Sequence, residues 1–193
     1  MDNKEKINLP MPNLLGDFQI SNVCAAISTV RNLPQFKISK SHIVKAITKI
    51  KSEGRLQVIK KGKLTKHISR KNKILIDGAH NTLAALAINS YLKNFYKNKK
   101  IVMVLGMMAN KEHKKFIQIF KKRVNSIITL DIPNQENFIG KAKLLKIAQN
   151  CGIPAQTANS IKSALKKIKN ENDDSIIFFA GSLYFAGEVL NLN

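Results

Sequence analysis

Acidic side chains are scarce in this sequence: 12 Asp and Glu stand against 33 Lys and Arg in 193 residues, a formal charge of +21. Such an excess invites a polyanion partner, because clustered cations neutralise phosphates and release counterions. Arginine, however, is scarce as well. Only Arg31, Arg55, Arg70 and Arg123 are present, and arginine is the usual bidentate reader of phosphates and base edges. The lysines are scattered through loops and helix faces among isoleucines and asparagines, so no specific nucleic acid is expected as a partner, only weak, salt-sensitive attraction to polyanions. Cysteine is limited to Cys24 and Cys151. Their separation excludes a disulfide framework and a zinc-type spacing and fits free thiols in a reducing compartment. No apolar run approaches the roughly 20 residues that span a bilayer, and the start, MDNKEKINLP, shows no apolar signal segment. A cytoplasmic protein without a membrane partner is therefore expected. There is no GxxxxGK followed by Ser or Thr: Gly62-Lys63 and Gly140-Lys141 both lack the upstream glycine. Internal repeats and low-complexity linkers are absent too.

What is present is a 44% hydrophobic chain, enough for one cored domain with an appendage. Pro10 and Pro12 exclude a regular helix in the opening loop. Ser21 is a candidate cap for a helix from Asn22 to about Val30, and Ser39 or Ser41 for a second one carrying Ile43, Ala46, Ile47 and Ile50 at core spacing. Leu56–Ile59 and Leu64–Ile68 read as two short strands forming a hairpin around Gly62. From Lys73 onward, β-branched runs alternate with amphipathic stretches. Strands are expected at Ile74–Asp77, Ile101–Leu105, Ser126–Leu130 and Ser175–Ala180, with helices at Asn81–Tyr96, Lys111–Arg123, Lys141–Asn150 and Asn159–Ile168. This alternation predicts an α/β fold, a mostly parallel sheet with helices on both faces, preceded by a short helical segment.

In such a sheet the ligand crevice lies off the carboxyl ends of the strands. Three turns should meet there: Asp77-Gly78-Ala79-His80-Asn81, Gly106-Met107-Met108-Ala109-Asn110-Lys111, and Ala180-Gly181-Ser182-Leu183. Glycines allow close approach, and the helix starts offer unpaired N–H groups to a carboxylate or phosphate. Singly, each feature has a bland reading as a cap or a turn; their placement at three equivalent strand ends makes a ligand site.

DGAHN followed by an alanine-rich helix resembles a segment of folylpolyglutamate synthases and dihydrofolate synthases, members of the Mur ligase superfamily. LPMPNLLGDFQISNVCAA, GRLQVI, VLGMMANK and FFAGSLYFAGEVL extend the resemblance in the same order over most of the chain. The resemblance covers only the later part of such an enzyme. It implies that residues 1–54 are a helical remnant of the nucleotide-binding domain and that residues 55–193 form a Mur ligase C-terminal, Rossmann-like domain. It further implies an ATP- and Mg²⁺-dependent ligation in which ATP phosphorylates a folate γ-carboxylate and the amino group of L-glutamate attacks the acyl phosphate. Carried over residue by residue, Asn22, Arg55 and Asp77 would bind ATP, His80 and Ser182 would bind glutamate, and His80 would serve catalysis by orienting the amine or accepting its proton. Two positions depart from the family pattern: Phe18 stands where histidine is usual, and Asn110 stands where an aspartate precedes the lysine. The phosphate loop and the family's Mg²⁺ ligands are not found, so the chain is expected to be inactive alone and to need a companion chain carrying the ATPase domain, or to be a decayed product. Two other classes stay open: a glutamate, folate or nucleotide-binding module without turnover, and a basic nucleic-acid-associated protein.

Overall fold

A computed structural model describes residues 6–171 and 174–193. It divides into two compact units, Met1–Glu53 and Gly54–Asn193. In the first, helix α1 spans Phe18–Arg31 and helix α2 spans Lys40–Lys49. Ser21 is not the cap of α1, which already starts at Phe18 and has no side-chain cap at Asp17. Ser39 caps α2, accepting from the His42 N–H while its own N–H donates to the His42 ring, a reciprocal capping box. Ile43 and Ile47 are buried, and Val23, Ile27, Ile43 and Ile47 border an apolar cleft of about 360 Å³ between the two helices.

The second unit opens with strand β1 (Gln57–Ile59), a 3₁₀ turn (Leu64–His67) and strand β2 (Lys73–Ile76). The expected hairpin does not form. Leu64–His67 closes as a 3₁₀ turn instead: Lys66 N–H bonds the Lys63 carbonyl and the Thr65 hydroxyl bonds that of Gly62, while Leu64 and Ile68 both face the core, a placement that strand and helical spacing share. β1 pairs instead antiparallel with β2, Val58 opposite Leu75.

Helix α3 (Thr82–Phe95), strand β3 (Lys100–Leu105), helix α4 (His113–Ile119), strand β4 (Ser126–Thr129), helix α5 (Lys141–Asn150), strand β5 (Ala155–Thr157), helix α6 (Ile161–Glu171), strand β6 (Ser175–Ala180) and helix α7 (Leu183–Asn191) follow. Among the described residues six strands form one sheet in the order β1-β2-β6-β3-β4-β5, parallel except at β1. The short edge strand β5, with no fully buried residue, carries too little apolar signal to be read from sequence.

Alternation along the strands assigns the helices to faces. Ile74 and Ile76 of β2, Val102 and Val104 of β3, and Ile177 and Phe179 of β6 pack with Leu165 and Ile168 of α6 and Phe185 and Val189 of α7. Phe178 points the other way, with its ring 6.1 Å from that of Phe120 after α4. Hence β2 hands its chain to one face through α3, while β6 hands its chain to the other through α7. Adjacent parallel strands whose connections diverge leave a crevice between them at their carboxyl ends.

Candidate functional site

The crevice exists. Three backbone bonds lock its floor: Asp77 N–H to the Phe179 carbonyl (3.0 Å), Gly181 N–H to the Ala79 carbonyl (2.8 Å) and Gly106 N–H to the Ala180 carbonyl (3.2 Å). The three glycine-bearing turns are thereby laid side by side. Gly78 leaves the room that the Leu183 side chain fills; a Cβ there would lie 2.2 Å from Leu183 Cδ2. Above this floor is a cavity of about 490 Å³ whose polar lining comes from His80, Asn110, Lys111, Asn137, Ser182 and Tyr184.

His80 and Ser182, from different strand ends, line this same cavity. His80 Nδ1 is 3.0 Å from the Gly78 carbonyl oxygen. A carbonyl can only accept, so Nδ1 carries the hydrogen, and it is Nε2 that is left to face the cavity's ligand, with a free lone pair whenever the ring is neutral. Ser182, 2% exposed, accepts from the Tyr184 N–H at 3.1 Å as the cap of α7, which leaves its own hydroxyl hydrogen to donate. Asn81 caps α3 through the Ala84 N–H, so the turn holding His80 is anchored on both sides. Lys111 supplies the positive charge of the lining.

Asp77 does not line the cavity. Its carboxylate, in a residue 3% exposed, accepts from Leu56 N–H and Ala79 N–H, both at 2.8 Å. Burial pushes its pKa above the ordinary carboxylate value, against the opposing pull of the two N–H bonds and of the nearby Arg55 and His80 charges. A carboxyl with a raised folded pKa holds its proton more firmly when folded. Its contribution to stability is therefore greatest below the unfolded value and falls as pH rises through the raised one. Carbon-detected NMR titration of the Asp77 side chain is expected to give a midpoint above 3.8; a midpoint at or below it would show that the N–H bonds outweigh desolvation.

Arg55 is half-buried beside this carboxylate and also does not line the cavity. Asn22 belongs to the first unit, where its side-chain amide donates to Gln19 Oε1 at 2.9 Å.

Two contributors escaped the sequence reading. Asn137 sits in a polar loop whose only strand-like signal is the pair Phe138-Ile139. Ala109 N–H donates to the Asn137 carbonyl, Ile139 N–H donates to the Met107 carbonyl, and Met108 bridges Phe138, folding that loop over the second turn. His113 Nε2 reaches the Met108 carbonyl at 2.9 Å and holds the same turn from α4. Among the described residues no group of three or more His, Cys, Asp or Glu is placed to hold a metal ion.

The sequence profile of the family described as "Dihydrofolate synthetase, C-terminal domain" matches residues 57–192. Dihydrofolate synthetase of Saccharomyces cerevisiae is 24% identical over 192 residues, covering 93% of this chain and 45% of the yeast protein. The folylpolyglutamate synthase of Mycobacterium tuberculosis, solved with ADP and AMPPCP, superposes with a TM-score of 0.78 at 19% identity, over 96% of this chain and 41% of its own. The bifunctional folylpolyglutamate synthase/dihydrofolate synthase of Yersinia pestis, solved with AMPPNP and a Mn ion, gives 0.75 at 17% identity, over 98% and 42%. This chain thus spans less than half the length of each of these three proteins.

Proposed function

We infer the function from one premise: the chain belongs to the dihydrofolate synthetase C-terminal domain family, within the Mur ligases. It is the amino-acid-binding part of an ATP-dependent ligase that adds L-glutamate to a folate carboxylate. The observation that carries this reading is the meeting of His80, Ser182 and Lys111 around one cavity. Lys111 and the Ser182 hydroxyl suit the glutamate carboxylates, as a point charge and a neutral donor. His80, its ring oriented through Nδ1, presents Nε2 to the incoming amine, either to align it or to accept its proton. In the whole enzyme ATP and Mg²⁺ activate the folate carboxylate; Asn22, Arg55 and Asp77 would contribute to the nucleotide side, but these 193 residues carry no phosphate loop, which must come from elsewhere.

A companion polypeptide is the reading that the surface supports. Leu83 (78% exposed) and Leu86 follow His80 on α3, and Tyr184 (58% exposed) and Leu183 line the cavity itself. The two-helix unit also keeps its apolar cleft open. Exposed apolar surface of this kind beside a site marks a surface that another chain covers. Cytoplasmic placement accords with two free cysteines and with the absence, among the described residues, of any helix long and apolar enough to cross a membrane.

The decisive experiment is a glutamate-incorporation assay on the purified chain, alone and mixed with a polypeptide carrying the phosphate loop. Alone it is expected to release no phosphate from ATP; mixed, it should extend a folate substrate. Nucleotide turnover by the chain alone would overturn the division of labour. Saturable glutamate binding with no turnover in any mixture would favour the non-catalytic module instead.

A further inference from the structure

A second cleft lies at the opposite edge of the sheet. It measures about 540 Å³, and its polar lining is Lys60, Thr65, Ser69, Arg70, Asn72 and Lys73, with Tyr96 beside them. Asn72 immediately precedes β2, so this wall sits at the amino ends of the parallel strands. The His80 and Ser182 cavity sits at their carboxyl ends.

Asn72 is 6% exposed. Its Oδ1 accepts from the Ser175 N–H at 2.9 Å, which settles the orientation of the amide. Its Nδ2 is buried with no partner, as is the Ser175 hydroxyl beside it. Buried polar groups in folded proteins are nearly always satisfied, and an orphaned donor calls for a missing acceptor. Lys60, Arg70 and Lys73 line the same cleft as Asn72, and among the described residues no acidic side chain lines it. The Asp174 carboxylate, whose charge Lys73 also feels, is bound to Lys99 Nζ at 2.7 Å and does not line the cleft.

We propose that this cleft, walled by Lys60, Arg70, Lys73 and the unpartnered Asn72 amide, is a second binding site that takes a diphosphate group. Three cations and a neutral donor lining one cleft match an anion that offers several acceptor oxygens and more than one charge. The Arg70 fork adds a planar bidentate partner. The cleft exceeds a lone phosphate in size, and Val58, Ile59 and Ile68 give it an apolar wall for whatever carries the group.

The test is calorimetric titration of the full chain with inorganic pyrophosphate at low salt. Saturable binding is expected, weakened about tenfold or more in Arg70→Ala/Lys73→Ala. Lys143→Ala/Lys146→Ala removes the same charge from α5 and should leave the affinity unchanged. Asn72→Asp keeps the acceptor for Ser175 N–H and replaces the donor by an anionic oxygen, so binding should vanish. Equal weakening by the two double variants would reduce the effect to net charge and overturn the site, as would loss of binding in His80→Ala/Ser182→Ala, which would place the anion at the other edge. A parallel titration with ADP identifies the carrier: tighter binding than pyrophosphate assigns the site to a nucleotide, equal binding to free diphosphate.

Discussion

Gly181→Ala is expected to destabilise the Gly54–Asn193 unit by roughly 3–5 kcal/mol, the sum of backbone strain and overpacking at one residue. Gly181 has φ +111°, outside the region that side chains tolerate, and an added Cβ would lie 2.4 Å from the Gly106 carbonyl oxygen and 2.7 Å from Met107 Cγ. The first obstacle is backbone, which cannot rotate aside as a side chain can. Moving residue 181 would also break its N–H bond to the Ala79 carbonyl, the link that keeps the turn of His80 beside that of Ser182. At roughly 2–4 °C per kcal/mol for a domain of this size, thermal unfolding should show a fall of about 10 °C. The paired substitution Gly140→Ala, where nothing lies within 4 Å of the new Cβ, should leave the melting temperature nearly unchanged. A Gly181→Ala protein as stable as the parent would mean that the three turns are not locked together as described.

His80→Ala, assayed in the enzyme completed by a phosphate-loop partner, is expected to lower glutamate incorporation roughly 100-fold, the lower end of what a positioned proton acceptor supplies. The size of the effect rests on the unpaired Nε2: the Gly78 carbonyl engages only Nδ1, so the ring is oriented without being consumed. His80→Gln separates the two parts of the role, since its amide can still donate to that carbonyl yet offers no basic nitrogen. If the ring merely positions the amine, the glutamine variant should recover most of the activity; if Nε2 takes the proton, it should be nearly as slow as alanine. Full turnover in His80→Ala would remove the residue from the reaction. Thermal unfolding of each variant serves as the control, because His80 is only half-buried and makes one side-chain bond.

The sheet and its main helices were legible because their signal is local. β-branched runs such as Ile101–Leu105 bury every residue and can be nothing but interior strand. The turns after β2, β3 and β6 were legible for a related reason, since each places a glycine directly after or within two residues of such a run and a polar residue a few positions further on. Leu64–Ile68 was misread because two apolar residues four apart share a face in a strand and in a helical turn alike, and the local bonds from Lys66 to Lys63 and from Thr65 to Gly62 that close the turn leave no mark in that spacing.

The order of residues by itself determined the α/β class, the three strand-end turns, the presence of His80 and Ser182 on two of them, and the lack of a phosphate loop. The tertiary structure alone decided that β6 inserts between β2 and β3. That insertion makes His80 and Ser182, about a hundred residues apart in sequence, neighbours on one cavity. It alone also turned the Asp77 carboxylate inward to hold two backbone N–H groups and brought Asn137 over the site. The physical reason is common to all of these: a strand announces its burial through its own side chains, but which strand it lies beside depends on how helices on two faces share one core, and no local stretch encodes that.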